Sequence, residues 1–195
     1  NSSAYRNRSY FVDHAGVEAI TSYAALGEAI LDAYLPHIRT AGETAIIIPA
    51  GAGGLASGIA IAAKRRDVNI RIFLTQSVLT RHVYQSFKLG RVALYIYPDQ
   101  SVIRSTGIDT KQLEQFAFDV LVELTDGVLL VDETKIDETI GLYAENNIIA
   151  EEAAVLPYLA MEEWRKVFKS QGITNVLLIS TGSNVRPEVL DHARQ

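Results

Sequence analysis

A run of β-branched residues that ends abruptly in glycine places the strongest constraint on the fold of this chain. Residues 44–48 read TAIII and are apolar on both faces, as is typical of a central strand in a parallel sheet. The run leads into PAGAGG at residues 49–54, and the alanine-rich stretch 55–66 then predicts a helix. A strand, a glycine loop and a helix in this order indicate a βαβ unit.

The rest of the sequence continues this alternation. Further strands are predicted at residues 70–74, 92–97, 128–131 and 176–179, and the apolar run at 10–12 predicts a strand or the entry to a loop. Helices are predicted at residues 17–38, 80–89, 111–118, 134–146 and 151–170, and a short one near Pro187. The pattern predicts a three-layer α/β/α fold with a mostly parallel sheet, in a single domain over residues 1–195.

Charge and composition narrow the class of partner. The net charge is −5 and residues 64–66 are the only run of three basic side chains, which argues against nucleic-acid binding. The absence of cysteine excludes disulfides, thiolate metal sites and cysteine nucleophiles. No apolar run approaches the roughly 20 residues of a membrane helix, and the first residues lack the apolar centre of a signal peptide. We expect a cytoplasmic protein with no membrane partner, and a start without Met suggests a processed or truncated chain.

The glycine loop has two interpretations. Its glycines let the backbone approach an anion and turn N–H groups toward it, and the following helix adds its positive end. Alternatively, small residues are needed there only for a tight turn. The loop is not a P-loop, because Gly-Lys-Ser/Thr is missing. It fits the dinucleotide fingerprint only in the variant that ends in alanine, at Ala56.

A second strand also ends in small polar residues. The run 177–179 leads into Ser-Thr-Gly-Ser-Asn at residues 180–184. Because the carboxyl ends of parallel strands line the ligand crevice, both loops could contact one ligand. An ordinary Thr-Gly turn is the alternative.

Together the two loops resemble the fold type II pyridoxal-phosphate enzymes. That family includes threonine and serine dehydratases, serine racemase, cysteine synthase, threonine synthase and the tryptophan synthase β chain. PAGAGGLASGIA at 49–60 resembles the family's glycine loop and helix, and TGSNV at 181–185 resembles its Ser-Gly-Gly-Asn-Val segment. Looser matches follow the same order, at residues 14–21, 104–108, 130–133 and 150–154. The resemblance covers nearly all of this chain, but only the C-terminal half or so of a family enzyme.

The resemblance implies a cofactor site for pyridoxal 5'-phosphate. The residues that would contact its phosphate are Gly51, Ala52, Gly53, Gly54 and Leu55. Thr181 would lie at the pyridine nitrogen, where a neutral hydroxyl leaves the nitrogen largely unprotonated and suits β-elimination and replacement. Glu151 matches an acidic position near the cofactor in some members.

The resemblance also implies an activity, with alternatives. The parent enzyme would be a homodimeric lyase, a serine or threonine ammonia-lyase that acts on an amino acid by β-elimination. A β-replacement enzyme similar to cysteine synthase or threonine synthase is the second possibility. A non-catalytic phosphate-ligand domain and a degenerate nucleotide-binding oxidoreductase remain open.

The catalytic residues are unknown, because the family's Schiff-base lysine belongs to a domain upstream of this sequence. Ser86-Phe87-Lys88 imitates the lysine motif, but it follows the glycine loop and lies on a predicted outer helix. The other five lysines are expected on polar surfaces, Lys64 among them.

No metal site is expected. The glutamate that serves the metal in serine racemase-like members is replaced in Leu74-Thr75-Gln76, and the four histidines show no ligand spacing. The neighbouring carboxylates Asp132-Glu133 and Glu151-Glu152 are predicted to be solvated or capping groups and not acid–base pairs.

Overall fold

A four-stranded parallel sheet forms the centre of the molecule. The computed structural model describes residues 12–38, 42–67, 69–96 and 102–185. The strands run in the order β3-β2-β1-β4, all parallel. Their bounds are Glu43–Pro49 for β1, Arg71–Ser77 for β2, Gly127–Val131 for β3 and Ile173–Leu178 for β4. The carboxyl ends of β1 and β4 therefore lie side by side.

Helices cover both faces of this sheet. The α-helices of the described residues are α1 (Val17–Tyr34), α2 (Gly54–Arg66), α3 (His82–Leu89), α4 (Gln115–Leu124), α5 (Ile136–Glu145) and α6 (Leu156–Ser170). Short 3₁₀ turns lie at Leu35–His37, Thr106–Ile108, Glu133–Lys135 and Glu152–Val155. None of these helices is long and apolar enough to cross a membrane.

Two hydrophobic cores explain why residues 45–48 of β1 are all apolar. Ile46 and Ile48 point into one core, which they share with α2 and α4. Ala45 and Ile47 point into the other core, beneath α5 and α6. Successive side chains of a strand face opposite sides, so a strand between two helical layers must be apolar at every position. The predicted three-layer α/β/α fold is thus confirmed.

Helices α1 and α2 approach closely because glycine lies at their crossing. A Cβ atom at Gly27 would lie 2.7 Å from the Ala62 Cβ. A Cβ at Gly58 would lie 2.6 Å from the backbone carbon of Tyr23. Both distances are below normal contact, so this helix pair tolerates no side chain at either position.

Most predicted elements occur, and two predictions are wrong. Residues 92–96 form no strand; instead, the Ala93 N–H donates to Ser86 Oγ at 3.0 Å. The helix predicted at 111–118 begins only at Gln115, because Lys111 adopts a left-handed conformation with φ of 64° and buried Leu113 precedes the helix. Val12 has no regular structure, and the predicted helix near Pro187 lies outside the described residues.

Candidate functional site

The glycine loop and the end of β4 enclose one pocket of about 160 Å³. All six residues that the sequence singled out line it: Gly51, Ala52, Gly53, Gly54, Leu55 and Thr181. The structure therefore brings together two loops that are 130 positions apart in the predicted motifs. Their role as cofactor contacts stays a prediction.

The other wall of the pocket comes from four further segments. Sequence reasoning did not single out His14 and Tyr23, which reach it from the start and the middle of the α1 region. Gly107, Ile108 and Thr110 face the glycine loop, and Glu151 and Ala153 lie next to Thr181. The matched stretches of the sequence, 14–21, 104–108 and 150–154, contain all of these residues except Tyr23 and Thr110.

Packing requires at least two glycines of the loop. Gly53 has a φ of +100°, which L side chains rarely adopt, and it caps α2. A Cβ there would lie 2.8 Å from both Ala117 Cβ and Leu113 Cδ2, so it points into α4 and away from the pocket. A Cβ at Gly54 would collide with the carbonyl oxygen of His14. The tight-turn interpretation is therefore correct for these two positions, and the anion-binding interpretation stays a prediction.

The backbone N–H groups at residues 51–54 of the glycine loop lack acceptors in the described part of the chain. Residues 51–56 donate no backbone hydrogen bond to any residue that the structure describes. The first N–H groups of a helix have no partner within it, and here α2 begins at Gly54 and its first bonded donor is Ser57. Unpaired N–H groups at a helix start attract anions.

A buried carboxylate fixes the opposite wall. Glu133 Oε2 accepts from the Arg104 N–H at 2.9 Å, and Oε1 accepts from Ser105 Oγ at 2.5 Å. This contact holds the 3₁₀ turn Thr106–Ile108 against the glycine loop, where a Cβ at Gly51 would lie 3.1 Å from Ile108 Cα. The prediction that Glu133 is solvated or capping is wrong, because its side chain is buried.

Asp132 does cap, as predicted. Its carboxylate accepts from the Thr134 N–H at 2.7 Å, and this hydrogen bond lowers the pKa of Asp132. The neighbouring carboxylates thus have separate tasks and form no acid–base pair.

Glu151 lies between the turn that contains Gly107 and the loop that follows β4. Its backbone N–H donates to the Gly182 carbonyl at 3.1 Å, and its Oε2 accepts from the Asn184 N–H at 3.3 Å. Cβ atoms at Gly107 and Gly182 would contact its carboxylate at 2.7 and 2.5 Å. Glycine at both positions therefore makes room for a carboxylate beside Thr181.

Two buried side chains support the loop from behind, and neither was predicted as a site residue. Gln76 at the end of β2 and His82 at the start of α3 are both fully buried and contact the loop's carbonyls. The pKa of His82 is lowered, chiefly because burial disfavours its charged form. Their only sequence signal is polarity at the carboxyl end of the strand next to β1.

No lysine lines the pocket, although all six lie in the described part of the chain. Lys88 is exposed on α3, as predicted. The prediction for Lys64 is wrong: its Nζ donates to the Ile70 carbonyl at 2.7 Å and lies 3.5 Å from Asp126 Oδ2. This ammonium is held where β2 and β3 begin, at the edge of the sheet opposite the pocket.

Metal ligands do not cluster in the described ranges: no three His, Asp or Glu side chains there could hold one ion. Gln76 donates its amide N–H groups to carbonyl oxygens. An amide nitrogen cannot serve as a cation ligand, whereas carboxylate and carbonyl oxygens can.

A family model described as pyridoxal-phosphate dependent enzyme matches residues 3–182, which is most of the chain. The chain belongs to this family. Its cofactor is pyridoxal phosphate, as the sequence resemblance implied. The unpaired N–H groups of residues 51–56 and the closely approaching glycine backbone fit the phosphate group of that cofactor.

Relatives and solved structures agree with this assignment. The chain is 28% identical to the catabolic L-threonine dehydratase of Escherichia coli strain K12 over 139 residues, which cover 71% of this chain and 41% of that protein. It is 30% identical to the serine racemase of Dictyostelium discoideum over 141 residues, 72% of this chain and 43% of that protein. The chain thus spans less than half the length of these curated relatives.

The fold is shared with threonine deaminase isoform 2 of Solanum lycopersicum in its processed form. The TM-score is 0.81 at 21% identity, over 98% of this chain and 53% of that one.

Proposed function

We propose that the pocket holds the phosphate of pyridoxal phosphate, and that the whole protein is a serine or threonine ammonia-lyase. The observation that carries the first part is the row of unpaired N–H groups at residues 51–56, at the start of α2. The second part rests on the similarity to threonine dehydratases and serine racemases. The overall reaction removes the β-hydroxyl and the α-proton of an amino acid as water, and hydrolysis of the C–N bond of the product then gives ammonia and a 2-oxo acid.

Each site residue has a task in this proposal. Gly51, Ala52, Gly53, Gly54 and Leu55 bind the phosphate through backbone N–H groups. Thr181 offers its hydroxyl to the pyridine nitrogen. Glu151 orients the β4 loop, because it holds Gly182 and Asn184. When bound, the cofactor withdraws electrons from the substrate's α-carbon.

The covalent partner of the cofactor is assigned to a lysine outside these 195 residues. All six lysines of the chain lie away from the pocket lining. Residues 1–195 would then act as the single cofactor-binding domain of a cytoplasmic homodimeric enzyme, with an amino-acid substrate and no nucleic-acid or membrane partner. A hydroxyl at the pyridine nitrogen suits β-replacement equally well, so a transferase similar to cysteine synthase or threonine synthase is the second candidate.

The absence of a pocket lysine also favours a third candidate, a non-catalytic phosphate-ligand domain. Activity of the whole protein separates these functions. We expect L-serine or L-threonine to yield a 2-oxo acid and ammonia without any added nucleophile. A product that forms only when sulfide is supplied with an activated serine would support replacement instead. No product under either condition would support the non-catalytic domain.

Binding to the purified chain tests the site itself. Pyridoxamine phosphate and pyridoxamine are suitable probes, because their amine cannot condense with surface lysines. We expect the phosphate ester to bind at least about tenfold more tightly, as charge-assisted hydrogen bonds to the anion require. Equal affinities would contradict the phosphate assignment. In addition, the chain alone with excess pyridoxal phosphate should produce no 2-oxo acid; robust turnover would contradict the external lysine.

A further inference from the structure

The carbonyl side of the glycine loop is bound from behind by two buried side chains. Gln76 Nε2 donates to the Ala50 carbonyl at 3.1 Å and to the Thr80 carbonyl at 2.9 Å. His82 Nε2 lies 3.1 Å from the Gly51 carbonyl. Both side chains are completely shielded from solvent.

The hydrogen-bond pattern fixes the orientation of the Gln76 amide. Its Oε1 accepts from the N–H groups of Val83 and Tyr84, at 2.9 and 3.3 Å, in the first turn of α3. An amide turned over would place two donors against those N–H groups and an acceptor against two carbonyls. The nitrogen must therefore face the loop.

The same reasoning assigns the proton of His82. A carbonyl oxygen only accepts, so the ring nitrogen next to Gly51 carries a hydrogen. Thr110 Oγ1, 3.3 Å from that nitrogen, gives its own hydrogen to the Gln112 carbonyl at 3.1 Å and can also accept from His82. Neutral His82, with its hydrogen on Nε2, therefore donates to the Gly51 carbonyl, while its Nδ1 lies 3.3 Å from Gln76 Nε2.

These bonds decide where the N–H groups of the loop point. In a trans peptide the carbonyl of one residue and the N–H of the next point in opposite directions. Because Gln76 and His82 hold the carbonyls of Ala50 and Gly51, the N–H groups of Gly51 and Ala52 face away from them. Those two N–H groups have no acceptor among the described residues. A third carbonyl, that of Ala52, accepts from the Glu114 N–H at 3.0 Å in the same manner.

We propose that Gln76 and His82 are positioning residues for anion binding: they hold two loop carbonyls so that the next two N–H groups meet the ligand phosphate. This inference rests on the proposed phosphate site. Side-chain donors are needed because a loop free to turn its peptides would offer carbonyl oxygens to the anion. The energy of orienting the donors is supplied during folding and lowers the cost of binding.

The test compares the affinities of pyridoxamine phosphate and pyridoxamine for each variant. The ratio of the two isolates the phosphate contribution from general changes in the pocket. His82→Phe keeps a flat ring without a donor, and His82→Gln restores an N–H near the Nε2 position. Gln76→Met keeps the length of the side chain without its amide. We expect His82→Phe and Gln76→Met to lower the ratio roughly tenfold, and His82→Gln to restore most of it.

Thr80→Val is the matched control. Its hydroxyl is buried and has no hydrogen-bond partner within the described ranges, while the carbonyl that Gln76 uses belongs to the backbone and is retained. This variant should keep the wild-type ratio. Circular dichroism selects the variants that fold, and inorganic phosphate as competitor gives a second measure of the anion site.

The outcomes separate this inference from the proposed function. A wild-type chain without any preference for the phosphate ester would remove the phosphate site itself. A wild-type preference that persists in folded His82→Phe and Gln76→Met would overturn the positioning role. Equal losses in His82→Phe and His82→Gln would also overturn it, because the donor would then be irrelevant.

Discussion

The two edges of the sheet satisfy their polar groups in opposite ways. At the edge where the strands begin, charges pair with one another. Asp126 Oδ1 accepts from Arg71 Nε at 2.7 Å, and Asp126 Oδ2 lies 3.5 Å from Lys64 Nζ. At the edge where the strands end, neutral Gln76 and His82 bind loop carbonyls and leave N–H groups exposed to a pocket.

The fold therefore places its stabilising ion pairs and its ligand pocket at opposite edges of the sheet. The charges of the first edge neutralise each other and leave little attraction for a ligand. The second edge has no Lys or Arg among the described residues that line its pocket, so an anion would be held by oriented peptide dipoles. Such a site needs exact peptide orientation, and neutral buried donors supply it without cancelling the field.

Gly53→Asp should have the largest effect, and the effect should be on folding. The residue combines a φ of +100° with a Cβ direction that meets Leu113 and Ala117. Strain and overpacking together should cost about 3 kcal/mol or more, before the repulsion of an anion is considered. Urea unfolding measures it. A stable variant that has lost only its ligand affinity would show that the loop can rearrange to accept a side chain at residue 53.

Gly90→Ala is the control for that substitution. Gly90 also has a positive φ, 64°, but no atom of the described residues lies within 4 Å of a Cβ built there. We expect a loss of only about 1 kcal/mol, from the backbone conformation alone. Similar losses at Gly53 and Gly90 would mean that packing against α4 is unimportant.

Asp126→Ala tests the role of the ion pairs at the edge where the strands begin. The carboxylate also accepts from the Ile72 N–H at 2.8 Å, so its removal leaves Arg71, Lys64 and one strand donor without this acceptor. We expect a loss of about 2 kcal/mol in the free energy of unfolding. The affinity ratio of pyridoxamine phosphate to pyridoxamine should not change. A changed ratio would show that the two edges are coupled.

An element of this fold can be predicted from the sequence when the residues that determine it lie within a few positions of one another. Strand β1 and helix α2 were predictable because apolar residues on both faces and an alanine-rich helix are written within a few positions. The strand predicted at 92–97 does not form over residues 92–96, where Leu94 and Ile96 follow the apolar pattern of a strand yet are 64% and 81% exposed. A strand needs a neighbour, which no local pattern reveals.

The site shows the same limit. Gly53 was predicted to contact an anion, but its Cβ direction depends on α4, which is 60 residues away along the chain. Gln76 and His82 are ordinary polar residues in the sequence. They acquire a role only because β2 lies next to β1 and brings them beneath the loop.

A smaller effect is expected from acid. Burial lowers the pKa of His82, against the opposing influence of the Gly51 and Thr80 carbonyls and the charge of Asp109. The folded protein therefore binds fewer protons than the unfolded chain. The stability from neutral His82 is fully present above the unfolded pKa of about 6.5 and is lost as the pH falls through the folded pKa. Urea unfolding at stepwise lower pH should show a steeper loss for wild type than for His82→Gln. Parallel curves would assign the acid sensitivity to other groups.

The smallest effect is expected from Lys88→Ala, despite the lysine motif in which this residue lies. The neighbours of Lys88 explain the motif by packing. Ser86 Oγ donates to the His82 carbonyl at 2.8 Å, and Phe87 packs edge-to-face on Phe118 with 6.0 Å between ring centres. Lys88 itself is exposed and does not line the pocket.

Neither stability nor ligand affinity should therefore change by more than about 0.5 kcal/mol in Lys88→Ala. Borohydride reduction in the presence of pyridoxal phosphate, followed by peptide mapping, checks the same point chemically. Labelling of Lys88 should be no stronger than that of Lys166, which is also exposed, because both react only as surface amines. Selective labelling of Lys88 that inorganic phosphate suppresses would place a cofactor-bonding lysine within this chain. The pocket would then have to include α3. The edge where the strands end would in that case bind its ligand through a charged side chain as well as through peptide dipoles.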